Sequence, residues 1–226
     1  IYRRISTVRY TFEQLAKSID HSLLQPTMTD TDLEAGCQQA LEYGVASICI
    51  KPYYVRRAAE ILAGTDIPVG TVIGFPHGGS TTQVKRYETQ VACEDGATEI
   101  DMVINIGKAL SGDWEYVEQD IREVTEEAHK HGAIVKVIFE NDFMPDDAIK
   151  IRLCQICESV NADFVKTSTG YGFVKGVDGK YSYKGATEHD LALMRANCSP
   201  KVQVKAAGGV RDLDALMRAK DLGATR

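Results

Sequence analysis

Two lysines of this chain stand where a lysine is expensive to keep. Lys166, in FVKTSTG at 164–170, and Lys205, in VQVKAAGG at 202–209, each alternate with valine at the end of a strand-like run. Asp101 stands in the same setting in EIDMVIN at 99–105. Burying an ammonium group costs free energy unless it is paired or gives up its proton. Taken singly, either lysine could run its stem along a rim and keep its charge in water. Two lysines on neighbouring strands, with an acid on a third, favour another outcome. Two ammonium groups a few ångströms apart do not both stay charged cheaply, so one pKa falls, and the neutral amine is the form that attacks a carbonyl. A shift of ~3 units costs about 4 kcal/mol, which burial and one like charge can supply together. A nearby carboxylate can hold the second lysine charged and pass protons through water. That is equipment for imine chemistry, and it calls for no metal and no cofactor.

The elements that must position these groups follow a repeating order. Short apolar runs at 46–50, 67–75, 98–104, 133–139, 163–166 and 202–206, with a fainter one at 18–24, alternate with amphipathic segments, the pattern of βα units. Asp30 can cap a helix carrying Leu33, Cys37, Ala40 and Leu41 that stops at Gly44. Asp113 opens one with Trp114, Val117, Ile121, Val124 and Ala128 at helical spacing, with Gly132 beyond its end, and Asp212 opens one with Leu213, Leu216 and Met217, ended by Gly223. Seven strands, each followed by a helix, are predicted, and the sequence ends as an eighth strand would begin at 224–226. An open doubly wound sheet also alternates β and α. Its strands, covered on both faces, should be apolar on both. Here Glu99, Asp101 and Asn105 oppose Ile100, Met102 and Ile104, and Lys201, Gln203 and Lys205 oppose Val202, Val204 and Ala206. One charged face suits a (β/α)8 barrel whose interior opens on a polar site at its strand ends.

Composition sets the bounds. At 226 residues, with 44% hydrophobic and 26% charged residues, the chain is of ordinary globular make-up and long enough for one barrel. A formal charge of -6 argues against a nucleic-acid or anionic-membrane partner, so an anionic substrate must be met by local cations. No run approaches the ~18 apolar residues of a membrane helix, and the first residues lack the apolar core of a signal peptide. The six cysteines (37, 49, 93, 154, 157, 198) are scattered and read as reduced thiols of a cytoplasmic protein.

Five segments in order give the sequence a family likeness: IDHSLL at 19–24, TVIGFPHG at 71–78, EIDMVIN at 99–105, FVKTSTG at 164–170 and KAAGGVR at 205–211. They resemble the signature segments of the deoxyribose-phosphate aldolases, a class I aldolase family, and extend from about residue 11 to 226. The resemblance implies a single aldolase barrel domain over 1–226, with a short helical lead-in at 1–17 and the eighth strand truncated in this sequence. It implies reversible cleavage of 2-deoxy-D-ribose 5-phosphate to acetaldehyde and D-glyceraldehyde 3-phosphate. Lys166 matches the Schiff-base lysine, Lys205 the second lysine that lowers its pKa, and Asp101 the aspartate that moves protons with Lys205 and a water. Asp20 and Thr169 match residues facing the sugar hydroxyls, and Cys49 matches a pocket cysteine, though a buried apolar thiol also accounts for it. A homodimer is a further implication.

Outside those matches the readings stay divided. Lys136, in phase with Ile138 and Glu140, either adds positive potential at the mouth or is a paired structural ion. Gly208 and Gly209 let backbone N–H groups approach a phosphate without a Cβ in the way, at the loop where barrels bind phosphate; they could equally form a plain turn. The family's Gly- and Ser/Thr-rich loop after strand 8 has no counterpart here. The segment 171–184, with Gly172, Gly176 and Gly179 and with Lys175, Lys180 and Lys184, is longer than the family's usual connection and reads as a solvated loop or a cationic flap over the pocket. Cys154 and Cys157 have redox-motif spacing but sit in a helical pattern with Ile149, Leu153, Ile156 and Val160, which makes them core. His129 and His131 look solvent-facing, and His21 and His77 read as hydrogen-bonding structural groups. Without a compact His/Asp/Glu set, a zinc-dependent aldolase is disfavoured. The alternatives are a Schiff-base aldolase or transaldolase for another sugar phosphate, and a barrel that binds a phosphorylated metabolite without catalysis.

Overall fold

The computed structural model describes residues 9–226. Of the lead-in expected at 1–17, residues 1–8 lie outside the described part, and Phe12–Ala16 forms helix α1. The barrel strands then follow in order: β1 (Asp20–Leu23), β2 (Ser47–Ile50), β3 (Val69–Ile73), β4 (Glu99–Val103), β5 (Ile134–Ile138) and β6 (Phe164–Lys166). Between them run α2 (Asp30–Tyr43), α3 (Val55–Ile61), α4 (Thr82–Glu94), α5 (Ile106–Leu110), α6 (Trp114–Lys130) and α7 (Asp147–Ser159). A short hairpin, β7 (Val174–Lys175) and β8 (Tyr181–Ser182), precedes α8 (Glu188–Ala196), β9 (Gln203–Lys205) and α9 (Leu213–Asp221). Seven strands pair in parallel, β1-β2-β3-β4-β5-β6-β9, and Ala224 begins an eighth by bridging to Val204. This is the (β/α)8 barrel, curled with its helices outside.

The pleat divides the strand residues between two environments. Ile100, Met102, Val135, Val137, Val165 and Val204 face outward into the main core, against Ile121 and Val124 of α6 and Leu153 of α7. Their strand neighbours Glu99, Asp101, Lys136, Lys166 and Lys205 turn inward and bond to one another. Period-2 alternation on a one-sided apolar strand makes this division, and a one-residue slip would reverse it.

Helix starts follow local chemistry. Asp113 and Asp212 accept from the Tyr116 and Ala215 N–H groups as N-caps. At α2 the cap is Thr29 and not Asp30: the Thr29 hydroxyl accepts from Asp32 N–H, and the Asp32 carboxylate reaches back to Thr29 N–H at 2.8 Å. This reciprocal box satisfies two orphan donors where Asp30 as cap would satisfy one. Gly44 ends the helix at φ 59. The 171–184 segment contains the β7–β8 hairpin, so the loop reading is corrected there to short strands.

α4 and α6 are tied by a fully buried ion pair. Lys85 Nζ meets Asp120 Oδ2 at 2.5 Å and the Val103 carbonyl at 2.9 Å, and Thr82 donates to Asp120 Oδ1 at 3.0 Å. Burial pulls Lys85 below the ordinary lysine range and pushes Asp120 above the ordinary carboxylate range. Removing one partner strands the other in the core, which costs roughly 3–5 kcal/mol. Lys85→Met is therefore expected to lose about that much in urea unfolding, and Lys85→Met with Asp120→Leu to recover most of it. A single variant as stable as the parent would refute the pair's role.

Candidate active site

Inside the barrel, charged side chains from β1, β4, β5, β6 and β9 form one connected network, with Lys166 and Lys205 at the C-terminal ends of their strands. Asp101 is its hub. Its Oδ2 accepts from Lys166 Nζ at 2.6 Å and from Lys205 Nζ at 2.9 Å, and its Oδ1 accepts from Lys136 Nζ at 2.9 Å. Lys166 and Lys205 lie directly across from each other in the β6–β9 ladder. Sharing one carboxylate oxygen, their nitrogens are held a few ångströms apart. Lys205 also meets Asp20 Oδ2 at 2.5 Å. Lys136 meets Glu99 Oε2 at 2.6 Å and Asp20 Oδ2 at 3.4 Å, and Arg226 contacts Asp20 Oδ1 and, at 3.0 Å, Glu99 Oε1.

The network sorts its own protons. It holds four basic groups (Lys136, Lys166, Lys205, Arg226) against three carboxylates (Asp20, Glu99, Asp101), so charge balances when one base is neutral. Lys166 is the base displaced toward its neutral form: burial, assisted by the Lys205 charge, outweighs Asp101 and pulls its pKa below the ordinary lysine value. Lys205 suffers the same burial and the repulsion of Lys136, but Asp101 and Asp20 together raise its pKa. Burial alone would raise Asp101, yet Lys136, Lys166 and Lys205 hold it well below the usual carboxylate range. Asp20 is lowered likewise, against its burial, by Lys205 and Lys136. A neutral amine beside a fixed ammonium and carboxylate is the arrangement that imine formation requires.

Other expected residues take more definite places. Lys136 is wholly buried and its pKa stands well above the ordinary value, Asp101, Asp20 and Glu99 outweighing desolvation, so of its two readings the paired ion holds and it does not line the mouth. Asp20 lines the cleft, but both its oxygens are engaged by cations. Cys49 packs with Leu24 and Val72, and burial raises its thiol pKa to about 11. Phe75 and Tyr171 cover this cluster edge to face at 5.6 Å, and the Tyr171 hydroxyl donates to the Leu24 carbonyl at 2.9 Å. Thr169 lines the cleft too, yet its hydroxyl donates to Glu140 and accepts from Tyr171 N–H at 2.9 Å. Glu140, buried at the end of β5 with φ 57, also accepts from Thr169 N–H and is raised in pKa by burial. It clamps the KTSTG loop and went unassigned in the sequence.

A cleft of about 900 Å³ opens over Lys166 and Lys205, reaching Gly170, Gly208 and Arg211 and, beside α9, the gap between β1 and β9. Gly208 and Gly209 take φ 89 and 80, conformations that favour glycine. Among the described residues, no protein group accepts a hydrogen bond from the N–H of Gly170, Gly208 or Gly209, and Arg211 has no carboxylate partner. Free donors at the ends of barrel strands six and seven are suited to an anion.

The histidines are mixed. His129 bonds to Asp163 at 2.9 Å at the surface, whereas His21 Nε2 is buried without a partner, against the expectation of a hydrogen-bonded group. Asp147, His189 and Asp190 do gather on the outer face between α7 and α8, a grouping invisible in the linear spacing. Lys150 fills it, at 2.8 Å from Asp147 and 2.6 Å from Asp190.

The model of the DeoC/LacD family aldolase matches residues 14–225. The chain belongs to the DeoC/LacD aldolase family. Among similar members, a deoxyribose-phosphate aldolase of Rhodopirellula baltica is 51% identical over 217 residues, covering 96% of this chain and 86% of the relative. One from Bacillus mycoides is 47% identical over 212 residues, covering 94% and 90%. The solved deoxyribose phosphate aldolase of Aeropyrum pernix, described as a tetramer, superposes with a TM-score of 0.84 at 30% identity, covering 95% of this chain and 86% of that one. As in its DeoC/LacD relatives, the fold here is the aldolase barrel, and the five segments that carried the likeness are those that line or brace the cleft.

Proposed function

We propose that this chain cleaves 2-deoxy-D-ribose 5-phosphate reversibly to acetaldehyde and D-glyceraldehyde 3-phosphate as a class I aldolase, with Lys166 as the nucleophile. One observation carries the reading: Lys166 and Lys205 share a single Asp101 oxygen while their pKa values move in opposite directions. The neutral Lys166 amine adds to C1 of the open-chain sugar, and loss of water gives a protonated imine. The C3 hydroxyl gives up its proton and becomes the aldehyde of the three-carbon product. The C2–C3 bond breaks, and its electron pair flows into the imine, leaving a neutral enamine. Protonation at C2 and hydrolysis release acetaldehyde and restore the amine. Lys205 and Asp101 flank the reacting nitrogen and are placed to move these protons through water.

The surroundings support the same substrate. Leu24 and Tyr171, backed by Cys49, Val72 and Phe75, give the cleft an apolar side suited to the two-carbon fragment. Gly170, Gly208, Gly209 and Arg211 offer unpaired donors for the phosphate. Self-association belongs to this reading as a homodimer, supported by the exposed row Val84, Tyr87 and Val91 on α4. So does a cytoplasmic setting: all six cysteines are free, and no described helix is long and apolar enough to cross a membrane.

The test is a coupled assay. Incubation with 2-deoxy-D-ribose 5-phosphate should release both aldehydes, in EDTA as in its absence. Inactivity on this sugar with turnover of another sugar phosphate would move the reading to a different aldolase; loss of turnover in EDTA would refute the metal-free scheme.

A further inference from the structure

The β7–β8 hairpin delivers one side chain to the glycines at the cleft's edge, Gly208 and Gly170. Tyr183, just after β8, stacks on Phe173 at 5.4 Å and sends its hydroxyl between two loops that line the cleft. A Cβ placed on Gly208 would fall 1.8 Å from that hydroxyl oxygen, and one on Gly170 would fall 4.0 Å from it. The oxygen is buried and has no hydrogen-bond partner. Backbone contacts fix the hairpin's base: Lys184 and Gly185 N–H donate to Asp142 at 2.6 and 2.9 Å, and Ala186 N–H donates to the Gly208 carbonyl at 3.0 Å.

A buried hydroxyl without a partner is a cost that folding would normally remove, and Phe at this position would fill the same space without it. Its neighbours share its state, since the Gly170, Gly208 and Gly209 N–H groups also lack acceptors. Burial, with Glu140 and Asp142 nearby, raises the Tyr183 pKa to about 12. The group therefore remains a hydrogen donor at any working pH. The Tyr183 hydroxyl and these N–H groups are four unpaired donors on adjoining loops, and a phosphoryl group offers three acceptor oxygens.

We propose that Tyr183 is a further substrate-binding residue, its hydroxyl donating to the phosphate seated on Gly170 and Gly208–Gly209. This rests on the deoxyribose-phosphate reading above for the identity of the substrate, but not for the anion itself. The hairpin is then a binding element and not only a solvated connection.

Tyr183→Phe removes the donor and keeps the ring. The expected result is a rise of about tenfold in KM for 2-deoxy-D-ribose 5-phosphate, the loss of one hydrogen bond to a charged group, with kcat and activity on unphosphorylated 2-deoxy-D-ribose unchanged. Calorimetry with inorganic phosphate should show a similar weakening, and this arm needs no turnover. A merely structural tyrosine would leave both affinities alone while Tyr183→Phe gained stability, and that outcome overturns the proposal. If the parent bound phosphate in a Tyr183-dependent way but cleaved no deoxyribose phosphate, the substrate reading would fall and the anion site would stand. Parental phosphate affinity in the variant, with normal cleavage by the parent, would sink the site alone.

Discussion

Lys166→Ala is expected to fold normally and to lose roughly 10⁴-fold or more in kcat, the scale seen when a covalent nucleophile is removed. The companion result is chemical. Acetaldehyde followed by borohydride should leave an ethyl group on the parent enzyme, and peptide mass should place it on Lys166. The variant should stay unlabelled. Three other bases share the network, so the outcome discriminates: Lys136 is wholly buried and far on the protonated side, and Lys205 is held as a cation by Asp101 and Asp20. Label on Lys205, or unchanged labelling of Lys166→Ala, would overturn the assignment.

The second large effect is electrostatic. Lys205→Leu takes one cation from a set that balances only while Lys166 is neutral. Three carboxylates then face Lys136, Arg226 and Lys166, and Lys166 is left as the group that can supply the missing charge. Its pKa should climb back toward the ordinary lysine value. Each tenfold rise in its proton affinity depletes the free amine about tenfold near neutral pH. Because the reactive form is the deprotonated one, a higher pKa moves the rising limb of the pH–rate profile toward alkali. Turnover at neutral pH should therefore fall about tenfold or more, with partial recovery as the pH is raised. A loss that is flat with pH would mean that Lys205 acts only as a proton carrier or a structural prop, and parental activity would remove it from the mechanism.

Much of this site was legible because barrel strands print their two faces on the sequence. Lys166, Lys205 and Asp101 stood out as charges alternating with apolar residues, and the sheet turns those phases inward together. Lys136 obeyed the same phase, but its partner could not be read, since Glu99 and Asp101 lie two strand positions apart and either could have faced it. Glu140 was hidden for a different reason. It follows the strand in a left-handed conformation and bonds to the KTSTG loop, and tertiary contacts of that kind leave no periodicity. The hairpin escaped because strands of two residues carry no alternation. At α2, three possible caps stand within four residues, Thr29, Asp30 and Asp32, and only the reciprocal bond selects among them.

The pairing of Lys166 with Lys205 across β6 and β9 carries a last implication. Because backbone ladder bonds hold the two amines abreast, the spacing of the pair is set by the scaffold, whereas the cleft above them is shaped by loop residues such as Tyr171, Gly208 and Arg211. Rim segments can thus be rewritten for new acceptors while the proton economy beneath them stays intact.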